Sequence, residues 1–209
     1  MTGTGVSEQA IAGYAAEAPA LIARYDDVTS AALYAPVTDL LPQGAARVLD
    51  IGAGTGRDAA WFAAAGHAVV AAEPVAEFRA AIRARQAGIQ AIDTRLPDLA
   101  GITGPFDLIT CNAVWQHLDP RARPAAWRRI AALLRPGGRA ILSLRLGRGH
   151  PDRPVVPIEV EAEIALAARV GLTVRRRHQT ASHQAANIAA GVRWTWLALD
   201  LQSEGRAVQ

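Results

Sequence analysis

The stretch Val48-Leu49-Asp50-Ile51-Gly52-Ala53-Gly54-Thr55-Gly56-Arg57-Asp58 runs from apolar residues into glycines at alternate positions and then into a helical pattern. That order describes a buried strand ending in a tight loop, followed by a helix. Glycine at these places allows positive φ and lets a ligand approach the main chain closely. The spacing is G-x-G-x-G, whereas the dinucleotide fingerprint is G-x-G-x-x-G. A second feature follows at a suitable distance. His67-Ala68-Val69-Val70-Ala71-Ala72 reads as a short apolar strand closed by Glu73, and Pro74 stops the ladder. An acid at the end of the second strand of a βαβ unit can accept hydrogen bonds from two neighbouring ribose hydroxyls. Any adenosine-containing cofactor would use it.

These groups need a scaffold that presents strand ends side by side. Apolar runs predict strands at 47–51, 68–72, 90–92, 107–111 and 139–144, with two more at 172–176 and 192–201. Helical periodicity predicts helices over 57–65, 75–87, 124–134 and 158–169. Strands alternating with helices imply a mostly parallel sheet covered on both faces. The helix from Pro124 has proline in its first turn and stops before Pro136-Gly137-Gly138. Ahead of the first strand, Tyr14, Ala18, Leu21, Ile22 and Tyr25 fall near helical spacing. Two helices over residues 1–42 are expected to pack across the mouth of a core spanning 43–209.

The chain has 209 residues, about half of them apolar, which suits one folded unit with a full core. No apolar run reaches a membrane span, and the first residues lack a signal-peptide pattern, so the expected location is cytoplasmic, as a monomer or homodimer. Cys111 is the single cysteine and sits in an apolar strand pattern, where it reads as a small buried filler. Every basic residue apart from histidine is arginine, and the net charge is only +3, which argues against a large phosphate-tracking surface. Without lysine there is no Tyr-x-x-x-Lys pair, which, with the glycine spacing, disfavours a nicotinamide-dependent dehydrogenase.

The chain resembles the class I S-adenosylmethionine-dependent methyltransferases. Asp50-Ile51-Gly52-Ala53-Gly54-Thr55-Gly56 is similar to that family's first motif, and Glu73 to its ribose-binding acid. Asp93 is similar to the residue that meets the adenine amine. Phe106 to Asn112 resembles the fourth strand, and Leu134-Arg135-Pro136-Gly137-Gly138-Arg139 the turn before the fifth. The resemblance spans roughly residues 48–146. It implies a Rossmann-like, seven-stranded sheet with the last strand reversed, an N-terminal helical lid, S-adenosyl-L-methionine as cofactor, S-adenosyl-L-homocysteine as product, and no metal.

On that resemblance the cofactor site comprises Asp50, Gly52, Ala53, Gly54, Gly56, Arg57, Glu73, Pro74, Asp93, Thr94, Arg95, Leu96, Asn112 and Ala113. Asp50 either holds the loop by accepting backbone N–H groups or reaches the cofactor's ammonium. Arg57 either pairs with the cofactor's carboxylate or faces solvent. Asp93 would accept from the adenine amine, and Leu96 would cover the ring. His117 is the candidate general base because its pKa lies near working pH, though it could instead orient its loop. Trp115 offers a flat wall for substrate or cofactor, and Tyr14, Tyr25 and Arg145 are expected to line the acceptor side. Arg145, Arg148, His150 and Arg153 lie in a Gly/Pro-rich loop beyond a strand end, where they could attract an acidic acceptor or simply be solvated. The stretch Asn112-Ala113-Val114-Trp115 lacks the Asn-Pro-Pro-Tyr pattern that holds a flipped base. The expected reaction is O- or N-methylation of a small molecule. The alternatives are an RNA or protein methyltransferase and a regulatory cofactor-binding domain.

Overall fold

Strands rich in Val, Leu, Ile and Ala bury both faces only when helices cover both, and this chain supplies them. The computed structural model describes residues 5–203; the outermost ends of the expected lid and core, residues 1–4 and 204–209, lie outside the described residues. Helices α1 (Val6–Ala16), α2 (Ala18–Arg24) and α3 (Ser30–Tyr34) come first. Then follow β1 (Arg47–Ile51), α4 (Arg57–Ala64), β2 (Ala68–Ala72), α5 (Ala76–Arg85), β3 (Gln90–Ile92) and β4 (Phe106–Asn112). The remainder is α6 (Arg123–Leu133), β5 (Leu134–Leu146), α7 (Val160–Ala168), β6 (Leu172–Ala181), α8 (Ala185–Ala189) and β7 (Arg193–Leu201). The strands form one seven-stranded sheet in the order β3-β2-β1-β4-β5-β7-β6. All pairs are parallel except those of β7 with β5 and β6.

Side-chain alternation divides the core into two layers. Leu49, Ile51, Ile109, Cys111, Leu142 and Leu144 face α6 and α7, whereas Val48, Leu108, Ile141 and Trp196 face α4 and the segment around Tyr34. Cys111 is fully buried, as its apolar setting required. A smaller cluster of Ala18, Leu21, Val75 and Phe78 seats the N-terminal helices on α5. Each large apolar side chain so buried contributes roughly 1.5–3 kcal/mol.

The N-terminal segment is more broken than two helices. Glu17 interrupts the run between α1 and α2, and Tyr25–Asp27 and Ala35–Leu40 are 3₁₀ turns. Pro36 lacks an N–H to donate and is accommodated in the first turn of the second 3₁₀ segment. Strand β5 begins at Leu134, immediately after α6, because Leu134 pairs with Phe106 before a register shift carries the ladder past the glycines. Strand β6 runs on to Ala181 at the sheet edge, where Arg175 and Arg177 are exposed. Such charges discourage edge-to-edge pairing.

Between α6 and α7 lies a buried ion pair. Glu163 accepts from Arg123 Nη1 at 2.8 Å and from Trp127 Nε1 at 3.0 Å. Removing one member strands a charge away from water. Glu163→Ala is expected to lower the unfolding free energy by about 3–5 kcal/mol, read from urea denaturation midpoints.

Candidate active site

The carboxyl ends of β1, β2, β4 and β5 open into one cavity of about 860 Å³, covered from the N-terminal side by α1 and α2. Its floor is the β1–α4 loop. Gly52 has φ +67°, and a Cβ there would lie 2.3 Å from Val114 Cγ2, so only glycine lets the loop pass under the residues after β4. Gly56 has φ +78° and packs against the backbone of Ile82; it shapes the loop from behind and lies outside the cavity wall.

Glu73 fixes this loop. Its Oε2 accepts the Gly54 N–H at 2.8 Å, and its Oε1 accepts the Val75 N–H at 2.8 Å. The side chain remains on the cavity wall beside Pro74. Burial pushes the Glu73 carboxyl up to about 7, opposed by the two backbone donors. Asp50 is more deeply placed. Its Oδ1 accepts from Thr110 Oγ1 at 2.7 Å, while its buried Oδ2 has no protein partner among the described residues. Burial, reinforced by the charge of Asp58, raises the Asp50 carboxyl above the ordinary aspartate range. Asp50 therefore does not hold the loop by accepting its N–H groups. It presents an unfilled acceptor at the cavity, where a cationic group would satisfy it.

Arg57 lines the cavity but does not simply face solvent. Its guanidinium spans both oxygens of Asp58 at 2.7 and 3.0 Å and donates to the carbonyls of Tyr25 and Val28 at 3.0 and 3.1 Å. It thereby ties the end of the N-terminal helices to the glycine loop. Asp58 also accepts from Ser30 Oγ at 2.7 Å, so its place in the first turn of α4 serves a network as well as the helix dipole.

Asp93 turns outward. Its carboxylate is 68% exposed and pairs with Arg79 Nη2 at 2.8 Å. The cavity wall begins one residue later, with Thr94, Arg95 and Leu96. Arg79, which also donates to the Glu73 carbonyl at 2.9 Å, holds Asp93 off the cavity wall.

After β4, Asn112, Ala113 and Val114 line the cavity. Ala113 adopts φ +56°, a left-handed conformation that costs an alanine roughly 1–2 kcal/mol. Ser143 holds it there, accepting the Ala113 N–H on Oγ at 3.1 Å. Trp115 is displaced from its expected wall position. It is fully buried, with its ring centroid 4.6 Å from that of Trp127, because the 3₁₀ turn Trp115–His117 rotates it into the core. Val114 forms the wall instead.

His117 faces the cavity in a defined state. Its Nδ1 lies 2.8 Å from the Pro154 carbonyl, which accepts only, so Nδ1 carries the proton and Nε2 keeps its lone pair. The Tyr14 hydroxyl is 3.1 Å from that Nε2. Burial, with help from Arg145 and Arg153, lowers the His117 pKa, so the ring is neutral at pH 7. Burial raises the Tyr14 hydroxyl, which stays protonated. Ser7 Oγ donates to the His117 carbonyl at 2.6 Å, so the same residue fastens α1 to the core. Tyr25 lines the cavity near Gly54, and Arg145 lines its far rim.

Several lining residues gave no signal in the sequence: Ser7, Val114, Ser143 and the loop into α8. Tyr34, behind the wall, gave none either; fully buried, its hydroxyl accepts from Nδ2 of the lining residue Asn112. Only contact across distant segments identifies them.

Comparison with known proteins agrees with this geometry. A methyltransferase-domain family model matches residues 48–138. Uncharacterized methyltransferases of Mycobacterium tuberculosis and Mycobacterium bovis are 36% identical over 101 residues. That match takes in 48% of this chain and 40% of theirs, so the chain aligns with only part of the length of those relatives. The fold is similar to that of Burkholderia thailandensis 1,6-didemethyltoxoflavin-N1-methyltransferase bound to S-adenosylhomocysteine, with TM-score 0.68, 21% identity, and coverage of 92% of this chain and 88% of that one. A TehB-like methyltransferase from Corynebacterium glutamicum aligns with TM-score 0.66, 19% identity, and coverage of 92% and 98%. The cyclase SpnF aligns with TM-score 0.73 and 13% identity over 96% of this chain and 98% of its own, so the fold alone does not dictate the reaction. Glycine loop, strand order and family-model match concur: over residues 48–138 the chain is similar to the methyltransferase-domain family, and its fold is that of S-adenosylmethionine-dependent methyltransferases.

Proposed function

We propose that this protein transfers a methyl group from S-adenosylmethionine to an oxygen or nitrogen of a small molecule, in the cytoplasm. The observation that carries this reading is the polar cradle at the ends of β1 and β2. There a carboxylate with an unfilled buried oxygen, Asp50, and a second carboxylate on the cavity wall, Glu73, flank a backbone that only Gly52 allows. These residues suit an amino-acid ammonium on one side and vicinal ribose hydroxyls on the other. Thr94, Arg95 and Leu96 continue the wall on the side expected for the adenine.

Bound S-adenosylmethionine supplies a methyl group already activated by the sulfonium. The protein's own task is to align the acceptor, exclude water and take a proton where the acceptor carries one. Helices α1 and α2 form the lid that limits the acceptor to a compact molecule. His117 Nε2 is the proton acceptor, because Pro154 fixes the opposite ring nitrogen as the donor. Tyr14 positions that nitrogen and can relay a proton to it. The homologous methyltransferase whose structure contains 1,6-didemethyltoxoflavin acts on a compact acceptor, which supports the same choice here.

Two results are expected. Ribose hydroxyls donate to Glu73 and so favour its charged form. Because the free protein's carboxyl sits at about 7, S-adenosylhomocysteine should bind more tightly as pH rises through that value, with proton release below it. Titration calorimetry should show this in the wild type, and a weaker affinity with less pH dependence around that value in Glu73→Gln. Once an acceptor is in hand, His117→Gln should lower kcat by about a hundredfold or more with unchanged affinity for S-adenosylhomocysteine, and Tyr14→Phe should lower it less. Since the His117 pKa is depressed, wild-type turnover should hold its plateau to a pH below the usual imidazole value. Wild-type kcat in His117→Gln would remove it from catalysis.

A further inference from the structure

The cavity wall carries charges of both signs: Asp50 and Glu73 stand at the ends of β1 and β2, while Arg145, Arg148 and Arg153 stand at and beyond the end of β5, with Arg24, Arg57 and Arg95 elsewhere on the wall. Among the described residues Glu17 is the carboxylate paired with the three guanidiniums beyond β5, through Arg153 Nη1 at 2.6 Å. Arg153 also stacks over the Tyr14 ring, 5.2 Å from its centroid. Arg145 differs. It is half-buried, and its protein partners among the described residues are neutral oxygens: the carbonyls of Gly147 and Arg148 and the amide of Asn187. A cation withdrawn from water without a counter-ion is unfavourable, and burial together with Arg153 depresses the Arg145 pKa.

Its place in the sheet aims it at the acceptor. Arg145 ends the cavity face of β5, two residues after Ser143, the residue that holds Ala113. In the antiparallel ladder Arg145 stands opposite Trp194 of β7, so both side chains project from the same face of the sheet, and both line the cavity. His117 lies across from them, close enough for the charges of Arg145 and Arg153 to depress it.

We propose that the methyl acceptor carries an anionic group, a carboxylate or a phosphate monoester, which is bound by Arg145 while the body of the molecule lies along Trp194 toward His117. This assignment rests on the methyltransferase reading and names its substrate class. Arg145 supplies a fork of donors that matches either oxyanion. Arg148 at the rim adds charge that steers such molecules inward. Glu17 pairs with Arg153, whereas the half-buried Arg145 has no carboxylate partner among the described residues and can take the ligand's charge.

The test uses the full chain saturated with S-adenosylhomocysteine. Calorimetry compares para-hydroxybenzoate with para-hydroxybenzamide, glycolate with glycolamide, and phenyl phosphate with phenol. At least one anion should bind about tenfold or more tightly than its neutral partner, with the advantage shrinking as salt rises. The pair that shows it separates carboxylate from phosphate recognition. Arg145→Gln should erase the advantage and Arg145→Lys should retain part of it, while both keep wild-type affinity for S-adenosylhomocysteine. Anions that bind no better than their neutral partners, or bind not at all, overturn the proposal, as does an advantage that survives in Arg145→Gln. Failure of S-adenosylhomocysteine itself to bind strikes the cofactor reading instead, so the two failures are distinguishable.

Discussion

The site depends on one buried carboxylate gripping two backbone N–H groups. Glu73 joins the glycine loop after β1, through Gly54, to the turn after β2, through Val75. These segments are far apart in sequence and adjacent only because β1 and β2 pair in register. Without that clamp the loop would be a short, glycine-rich connection with little to order it, since glycine loses the most conformational freedom on folding. With it, the backbone at the end of β1 is held in one shape, and the carboxylate remains at the cavity wall. The same group thus builds the floor and offers acceptor oxygens to whatever lies on it.

A second set of contacts couples the lid to that floor. Arg57, the first residue of α4, donates to the carbonyls of Tyr25 and Val28, while Ser7 and Tyr14 meet His117 on the other side. The N-terminal helices are therefore fastened at two points, one beside the glycine loop and one at His117. Burial of the apolar seam between α2 and α5 supplies the adhesion, and the polar contacts fix the register.

Much of this was legible in the residues themselves. Arg47 to Ile51, Ala68 to Ala72 and Gln90 to Ile92 form strands with the expected bounds, because apolar runs punctuated by glycine and proline leave few alternatives. Gly52, Glu73 and His117 reach the cavity wall as their places after strand ends implied. What failed was side-chain direction in irregular segments. Trp115 sits in a 3₁₀ turn, whose rotation no alternation rule captures, and it points into the core. Asp93 follows a three-residue strand and is captured by Arg79, a partner fourteen positions earlier in the chain. The contacts of Arg57 with the carbonyls of Tyr25 and Val28 were beyond reach of the residue pattern, because a carbonyl partner carries no trace in side-chain identity. The short α8 and the tertiary pairing of Tyr34 with Asn112 were likewise outside local pattern.

If the ends of β1 and β2 cradle an S-adenosyl nucleoside with its sulfur turned toward the Arg145 end of the cavity, a crystal structure of the protein grown with S-adenosylhomocysteine will show ribose hydroxyls on Glu73, the amino-acid ammonium near the free oxygen of Asp50, and sulfur facing the space between Asn112 and His117. Density for the nucleoside elsewhere, or a vacant cradle at saturating ligand, would overturn that placement.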